Sequence, residues 1–235
     1  MLHNNLLALI VTFTVALTWL RANNYAAHRN WINSQLSRKF IHAGTGPLFV
    51  LCWILYDGSV WSRYIAALVP LAITIQFLFV GLGVMKDEAS VRAMSRTGDR
   101  REILQGPLYY GIVFVLLTII YWLDTPVGMV ALMLMCGGDA LADILGRRYG
   151  KIKLPWNRNK SLVGSLGMFF GGWIFSMAIS AFYLYVGVFP GPFTAYFIPV
   201  TLISLAGTLV ESLPFNNIDN ITVPLTAIVL GHLFF

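Results

Sequence analysis

Two aspartates four residues apart, Asp139 and Asp143, are followed within one short stretch by Arg147, Arg148, Lys151, Lys153, Arg158 and Lys160, in a chain that is otherwise largely apolar. On a continuous helix that spacing sets both carboxylates on one face, one turn apart, where their oxygens can share a divalent cation. The cations that follow can neutralise a polyphosphate, arginine as a fork and lysine as a point charge. Gly137, Gly138, Ala140, Ala142 and Gly146 leave little bulk around the acids, so a nucleotide or a neighbouring backbone can approach closely. The same residues also read as a packing seam with two snorkelling acids, and several of the cations as topology determinants.

Further candidates lie around this segment. Lys160-Ser161-x-x-Gly164-Ser165 precedes an apolar run, so backbone N–H groups near Ser161 and Gly164, with the Ser165 hydroxyl, can meet a phosphate at a helix start. The Walker spacing is absent, so the likeness to a phosphate loop is one of physics alone. Glu211 can bind metal or orient a hydroxyl, and Asn216, Asn217, Asp219 and Asn220 follow in a short turn where such residues also simply cap helices. His42, three residues after Lys39, can contact phosphate or move a proton, or serve the structure near a helix end. Glu102 and Arg101 sit in a mixed-charge loop, 96–110, whose default reading is solvated surface. No Ser-His-Asp order, H-E-x-x-H, G-x-G-x-x-G or soluble-kinase motif is present.

The elements that position these residues must be membrane helices. The chain is 57% hydrophobic and 11% charged, against about 25% charged in soluble domains. Apolar windows near 6–20, 41–56, 62–84, 107–123, 126–145, 165–187, 193–213 and 221–235 predict an all-α polytopic helix bundle with about seven or eight spans. That leaves a single transmembrane domain over 1–235, with candidate catalytic segments at 136–165 and 211–220. The first window reads as a membrane helix with no leader ahead of it. Positive charge concentrates in alternate loops, which places those loops and the candidate site at one face, expected to be the cytoplasmic one. At about 1.5 Å per residue from Pro126, Asp139 and Asp143 lie roughly 20 and 26 Å across a layer about 30 Å thick, at that same face. The formal charge of +6 follows from those loops, so no nucleic-acid partner is expected. Cys52 and Cys136 lack metal or redox spacing and read as packing residues. No internal repeat is visible, which argues against a transporter of duplicated halves.

Four blocks carry a resemblance to a known family: Arg38-Lys39-x-x-His42 with Gly44; Gly98-Asp99-x-x-Glu102 with 106–110; Gly138-Asp139-x-x-Ala142-Asp143-x-x-Gly146-Arg147-Arg148 with Lys153-Leu154-Pro155 and Asn159-Lys160-Ser161-x-x-Gly164-Ser165; and Glu211-Ser212-Leu213-Pro214 with Asp219-Asn220. Together they resemble the phytol kinase branch of the polyprenol and dolichol kinases. Ala140 and Trp156 depart from that pattern. The resemblance implies an integral membrane enzyme that moves a phosphoryl group from a nucleoside triphosphate, usually CTP but with UTP or ATP as alternatives, to the hydroxyl of a long isoprenoid alcohol. For this branch the alcohol would be phytol, salvaged toward tocopherol, in a bacterial plasma membrane or a thylakoid.

On that reading Asp139 and Asp143 hold Mg²⁺ on the nucleotide, and Lys160, Arg147 and Arg148 contact its phosphates. Asp143 or Glu211 orients the alcohol, whose tail stays among the spans and lipid. A CTP-using nucleotidyltransferase acting on a lipid phosphate needs the same groups. A transporter fits less well, because the charges sit at one face.

Overall fold

The described residues (4–32, 34–95, 97–214 and 218–235) of this computed structural model fold into ten α-helices with no strand. Helix α1 (Asn5–His28) starts where Asn4 Oδ1 accepts the N–H groups of Leu6 and Leu7, at 2.9 and 3.1 Å, satisfying donors a helix start otherwise leaves orphaned. It is followed by α2 (Ser34–Leu51), α3 (Ser62–Leu82), the short α4 (Glu88–Met94), α5 (Gly106–Ile120), α6 (Pro126–Met133), α7 (Asp139–Tyr149), α8 (Leu162–Tyr185), α9 (Thr194–Ser212) and α10 (Asp219–Phe234). A π-helical turn, Leu134–Gly138, joins α6 and α7 into one rod.

The molecule is the polytopic helix bundle that composition requires. Among the described residues six helical stretches are long and apolar enough to cross a bilayer, and α10 is a shorter apolar helix of 16 residues. Helix α2 begins seven residues before its apolar window because Arg38, Lys39 and His42 turn toward other helices and not toward lipid. The loop over 96–110 is not simply solvated surface. Arg100–Leu104 forms a 3₁₀ turn that buries Ile103 completely against Phe77 and Val80.

The rod Pro126–Tyr149 is the axis of the bundle. Its residues from Val127 to Gly138 are all buried, and α2, α5, α8, α9 and α10 pack against it. Glycines on α8 let the two helices meet backbone to backbone. A Cβ at Gly167 would lie 2.6 Å from the Leu141 carbonyl oxygen, and one at Gly171 would collide with that of Gly137. Small residues are the usual means of close helix approach in lipid, where apolar burial adds little drive.

Polar contacts gather at the two ends. At one end, Arg63 holds Asp124 at 2.7 Å, Asn5 Oδ1 accepts the N–H of Asp57, and Tyr121 meets His232. The other end collects the N-termini of α2, α5, α8 and α10 and the C-termini of α7 and α9, and it carries the candidate site.

Candidate active site

The π turn immediately precedes Asp139. An i→i+5 turn inserts one residue into the helical ladder and often marks a functional position. Beyond it α7 presents Asp139 and Asp143 toward α2. Lys39 Nζ donates to Asp139 Oδ2 at 3.0 Å and lies 3.7 Å from Asp143 Oδ2, so both carboxylates face one ammonium group. His42 Nε2 lies 3.2 Å from Asp139 Oδ2 and 3.2 Å from the Met135 carbonyl oxygen. Arg147 Nε donates to Asp143 Oδ1 at 2.7 Å, one turn along α7. Tyr110 supports the histidine: its hydroxyl donates to the His42 carbonyl at 3.1 Å, and the two rings are 4.3 Å apart.

A second cluster forms around Lys160, which ends the loop between α7 and α8. Its ammonium donates to Glu211 Oε1 and, at 3.0 Å, to Asp219 Oδ2. Burial disfavours the Lys160 charge, but the facing Glu211 and Asp219 carboxylates outweigh it and hold the ammonium above its ordinary titration range. Glu211 is 5% exposed. Its Oε2 and the Oδ1 of Asp219 are buried with no partner, so the cluster retains unused acceptor capacity. The loop is moored by residues that composition alone did not single out. Asn157 Nδ2 donates to the Ser212 and Leu213 carbonyls at 3.2 Å, capping α9, and Trp156 Nε1 donates to Ser212 Oγ at 3.2 Å. Asn220 Nδ2 ties α10 to the Gly106 carbonyl at 2.9 Å.

Between α1, α2, α3 and α5 lies a cavity of about 960 Å³. Its walls are mainly apolar, and its polar end is lined by Lys39, His42, Glu102, Asp139, Asp219 and Asn220. That volume is at the large end of the range for small-molecule sites, about 300–1,000 Å³. Of the four acids in the two clusters, Asp139 and Asp219 line it.

The structure distributes the other expected site residues differently. Ser161 is a helix cap whose Oγ accepts the Gly164 N–H at 3.1 Å, so neither is presented to a phosphate. Gly164 packs against Gly146, and Gly138 faces Met168 on α8. The Ser165 hydroxyl is buried without a partner. Arg148 is exposed over the Tyr149 ring, and Lys153 is exposed with its backbone bridged to Ser161. Glu102 accepts from the Thr97 hydroxyl at 2.7 Å near the cavity mouth. Asn217 lies outside the described residues.

Among the described residues no group of three or more His, Cys, Asp or Glu side chains forms a metal cage. The Oδ2 atoms of Asp139 and Asp143, gathered on one positive charge, nonetheless suit a hard ion of the Mg²⁺ kind. Such an ion takes one or two carboxylates and completes its shell with phosphate and water.

Comparison with known proteins then bears on this geometry. No family model and no solved structure matches the chain. It is 39% identical over 240 residues to probable phytol kinase 3, chloroplastic, of Glycine max, an alignment covering 99% of the chain and 75% of that protein. It is 38% identical over 209 residues to phytol kinase 1, chloroplastic, of Arabidopsis thaliana, covering 88% of the chain and 69% of that protein. It is 38% identical over 227 residues to farnesol kinase, chloroplastic, of the same plant, covering 96% and 74%. These relatives are chloroplastic plant proteins, which overturns the expected bacterial plasma membrane and, with it, the cytoplasmic label for the active face; a thylakoid is compatible with them.

Proposed function

The chain belongs to the family of phytol and farnesol kinases, and on that premise we propose that it phosphorylates a long isoprenoid alcohol, phytol, with CTP as donor, yielding phytyl phosphate and CDP for prenyl-lipid synthesis of the tocopherol type. The observation that carries this reading is the apolar cavity of about 960 Å³ whose polar end is formed by Lys39, His42, Asp139 and Asp219. Its walls suit an isoprenoid tail, and the polar end suits a hydroxyl.

Phosphoryl transfer asks little covalent chemistry of a protein and much positioning and charge neutralisation. Lys160 and Lys39, each already holding carboxylates, have flexible stems that can extend an ammonium to phosphate oxygens. Asp139 and Asp143 would hold the Mg²⁺ ion, which when bound neutralises charge on the transferring phosphoryl group. Asp219 is better placed than Asp143 or Glu211 to receive the alcohol proton. It lines the cavity, its Oδ2 is fixed on Lys160, and its buried Oδ1 has no partner. The alcohol oxygen then attacks the terminal phosphorus, the bond to the bridging oxygen breaks, and the nucleoside diphosphate leaves. Asn220, bonded to the Gly106 carbonyl, holds the start of α10 so that Asp219 keeps its position.

The test uses purified protein in detergent with phytol, Mg²⁺ and terminally labelled CTP, UTP, ATP or GTP. Label in phytyl phosphate with release of the diphosphate, fastest from CTP, is the expected result. Release of pyrophosphate instead would identify a nucleotidyltransferase and sink the proposal.

A further inference from the structure

The cavity runs from a polar to an apolar end in the same direction along the four long helices that form its walls, α1, α2, α3 and α5. On α1 the lining runs from Asn24 and Arg21 to Phe13, and on α2 from Arg38 and Lys39 to Phe49. On α3 it runs from Phe77 and Gln76 to Val69, and on α5 from Gly106 to Phe114. At 1.5 Å per residue these stretches are about 16 Å long on α1 and α2 and about 12 Å on α3 and α5. The cavity therefore reaches roughly halfway through a hydrocarbon layer about 30 Å thick.

It ends on aromatic rings. Phe49 and Phe114, 5% and 3% exposed, approach with ring centroids 5.9 Å apart. Behind Phe49 stands Trp53, edge-on at 5.9 Å, fully buried and stacked on Trp122 at 4.9 Å, with Tyr56 completing the layer 5.6 Å from Trp122. On the Phe49 side this floor is backed by three further buried rings. Packed interiors resist deformation, so a tail that reaches this floor must stop or bend.

We propose that Phe49 and Phe114 set the length of the alcohol this chain accepts, acting as the closed end of a tail-binding cavity one leaflet deep. The proposal rests on the alcohol-kinase reading above and adds to it the determinant of tail length. Thr45, one turn closer to the polar end than Phe49 and also lining the cavity, is the corresponding position at which added bulk would shorten it.

The experiment is competition between alcohols for one enzyme preparation: farnesol, geranylgeraniol, phytol and a polyprenol more than twice as long. The ratio of kcat/KM for the long to the short substrate is independent of the fraction of protein that is folded. Phe49→Leu and Phe114→Leu are expected to raise that ratio about tenfold or more, the discrimination associated with a methylene or two in an apolar pocket. Thr45→Phe is expected to lower it, and decides the matter should the leucine variants fail to fold. Ratios equal to wild type in the variants that fold would overturn the length-setting role while leaving the kinase reading intact. A wild-type protein that phosphorylates none of these alcohols would overturn the kinase reading itself, and this proposal with it.

Discussion

Truncating Lys160 to alanine strips the ammonium from Glu211, which is 5% exposed, and from Asp219 at 3.0 Å. Removing one member of a buried ion pair costs about 3–5 kcal/mol, because the remaining charge is left without compensation. The lysine head is 27% exposed, so water screens part of that loss and about 3 kcal/mol is the better figure. For a chain of this size each kcal/mol moves the unfolding midpoint by about 2–4 °C, so Lys160→Ala should lower the Tm of the detergent-solubilised protein by about 6–12 °C. Adding Glu211→Gln removes the stranded carboxylate and should recover about half of that drop, since a neutral amide is far cheaper to bury. Activity should not recover with stability. A lost charge-assisted hydrogen bond of about 1.5–3 kcal/mol corresponds to a nucleotide KM raised tenfold or more in both variants. Differential scanning fluorimetry and steady-state kinetics on the same preparations measure the two effects. A Tm for Lys160→Ala within about 2 °C of wild type, or a double variant no more stable than the single one, would refute the argument that this lysine compensates two acids.

Because Glu211 and Asp219 raise the Lys160 titration above its ordinary 10.5, its stabilisation is complete below that pH and is lost as pH rises through the raised folded value. The Tm of wild type should therefore fall more steeply above pH 10.5 than that of Lys160→Ala/Glu211→Gln; parallel curves would remove this pair as the cause. Asp219→Asn keeps the shape of the side chain but loses the proton acceptor, and should lower kcat by about 10²–10⁴-fold while changing the nucleotide KM far less. A KM effect as large as the kcat effect would make Asp219 a nucleotide-positioning group. Gly167→Ala puts a methyl 2.6 Å from the Leu141 carbonyl oxygen, so α7 and α8 must separate at a cost of about 1–3 kcal/mol. Lower thermal stability and reduced turnover are both expected, and wild-type values for both would show that the helix contact is slack.

Most of the helix layout is legible in the apolar windows, because lipid forces backbone polar groups into helices. That the candidate residues share one end of the bundle with the basic loops is legible in the loop charges, because short loops carry the positive bias. Partner choice is not. Asp139 and Asp143 were readable as a pair from their spacing of four, but the ion gathered between them in this structure is Lys39, a hundred positions upstream of Asp139. Lys160 was readable as a cation beside a helix start, but the acids it meets, Glu211 and Asp219, lie 51 and 59 positions further along the chain. Ser161 and Gly164 were readable as groups that could meet a phosphate at a helix start, and their spacing equally describes a capping serine and its N3 donor, which is what forms here. Gly164, Gly167 and Gly171 were visible as small residues at helical spacing and could have been read as the partner surface of the acidic helix. The π turn over Leu134–Gly138 has no sequence mark beyond its two glycines. Asn157 and Tyr110 work through contacts with distant backbone carbonyls, which no local pattern reveals.

The pairs that make the candidate site also make the end of the bundle stable. Asp139 and Glu211 lie past the centres of membrane-spanning helices, toward their C-terminal ends, where an unpaired acid costs less than the roughly 2.5–3.5 kcal/mol that the lower scales give at a helix centre. Each is compensated from outside its own helix, Asp139 by Lys39 of α2 and Glu211 by Lys160 of the loop before α8. Neither acid can reach its partner until α2 has packed against α7, and the loop against α9 and α10. Assembly of the bundle and assembly of the charge cluster are therefore one event. Substitutions in the cluster should then seldom be silent in stability, and activity loss has to be read against a folding measurement. Lys39, His42, Asp139 and Asp219 of the same clusters line the polar end of the cavity, so the shape of that end also depends on the packed bundle.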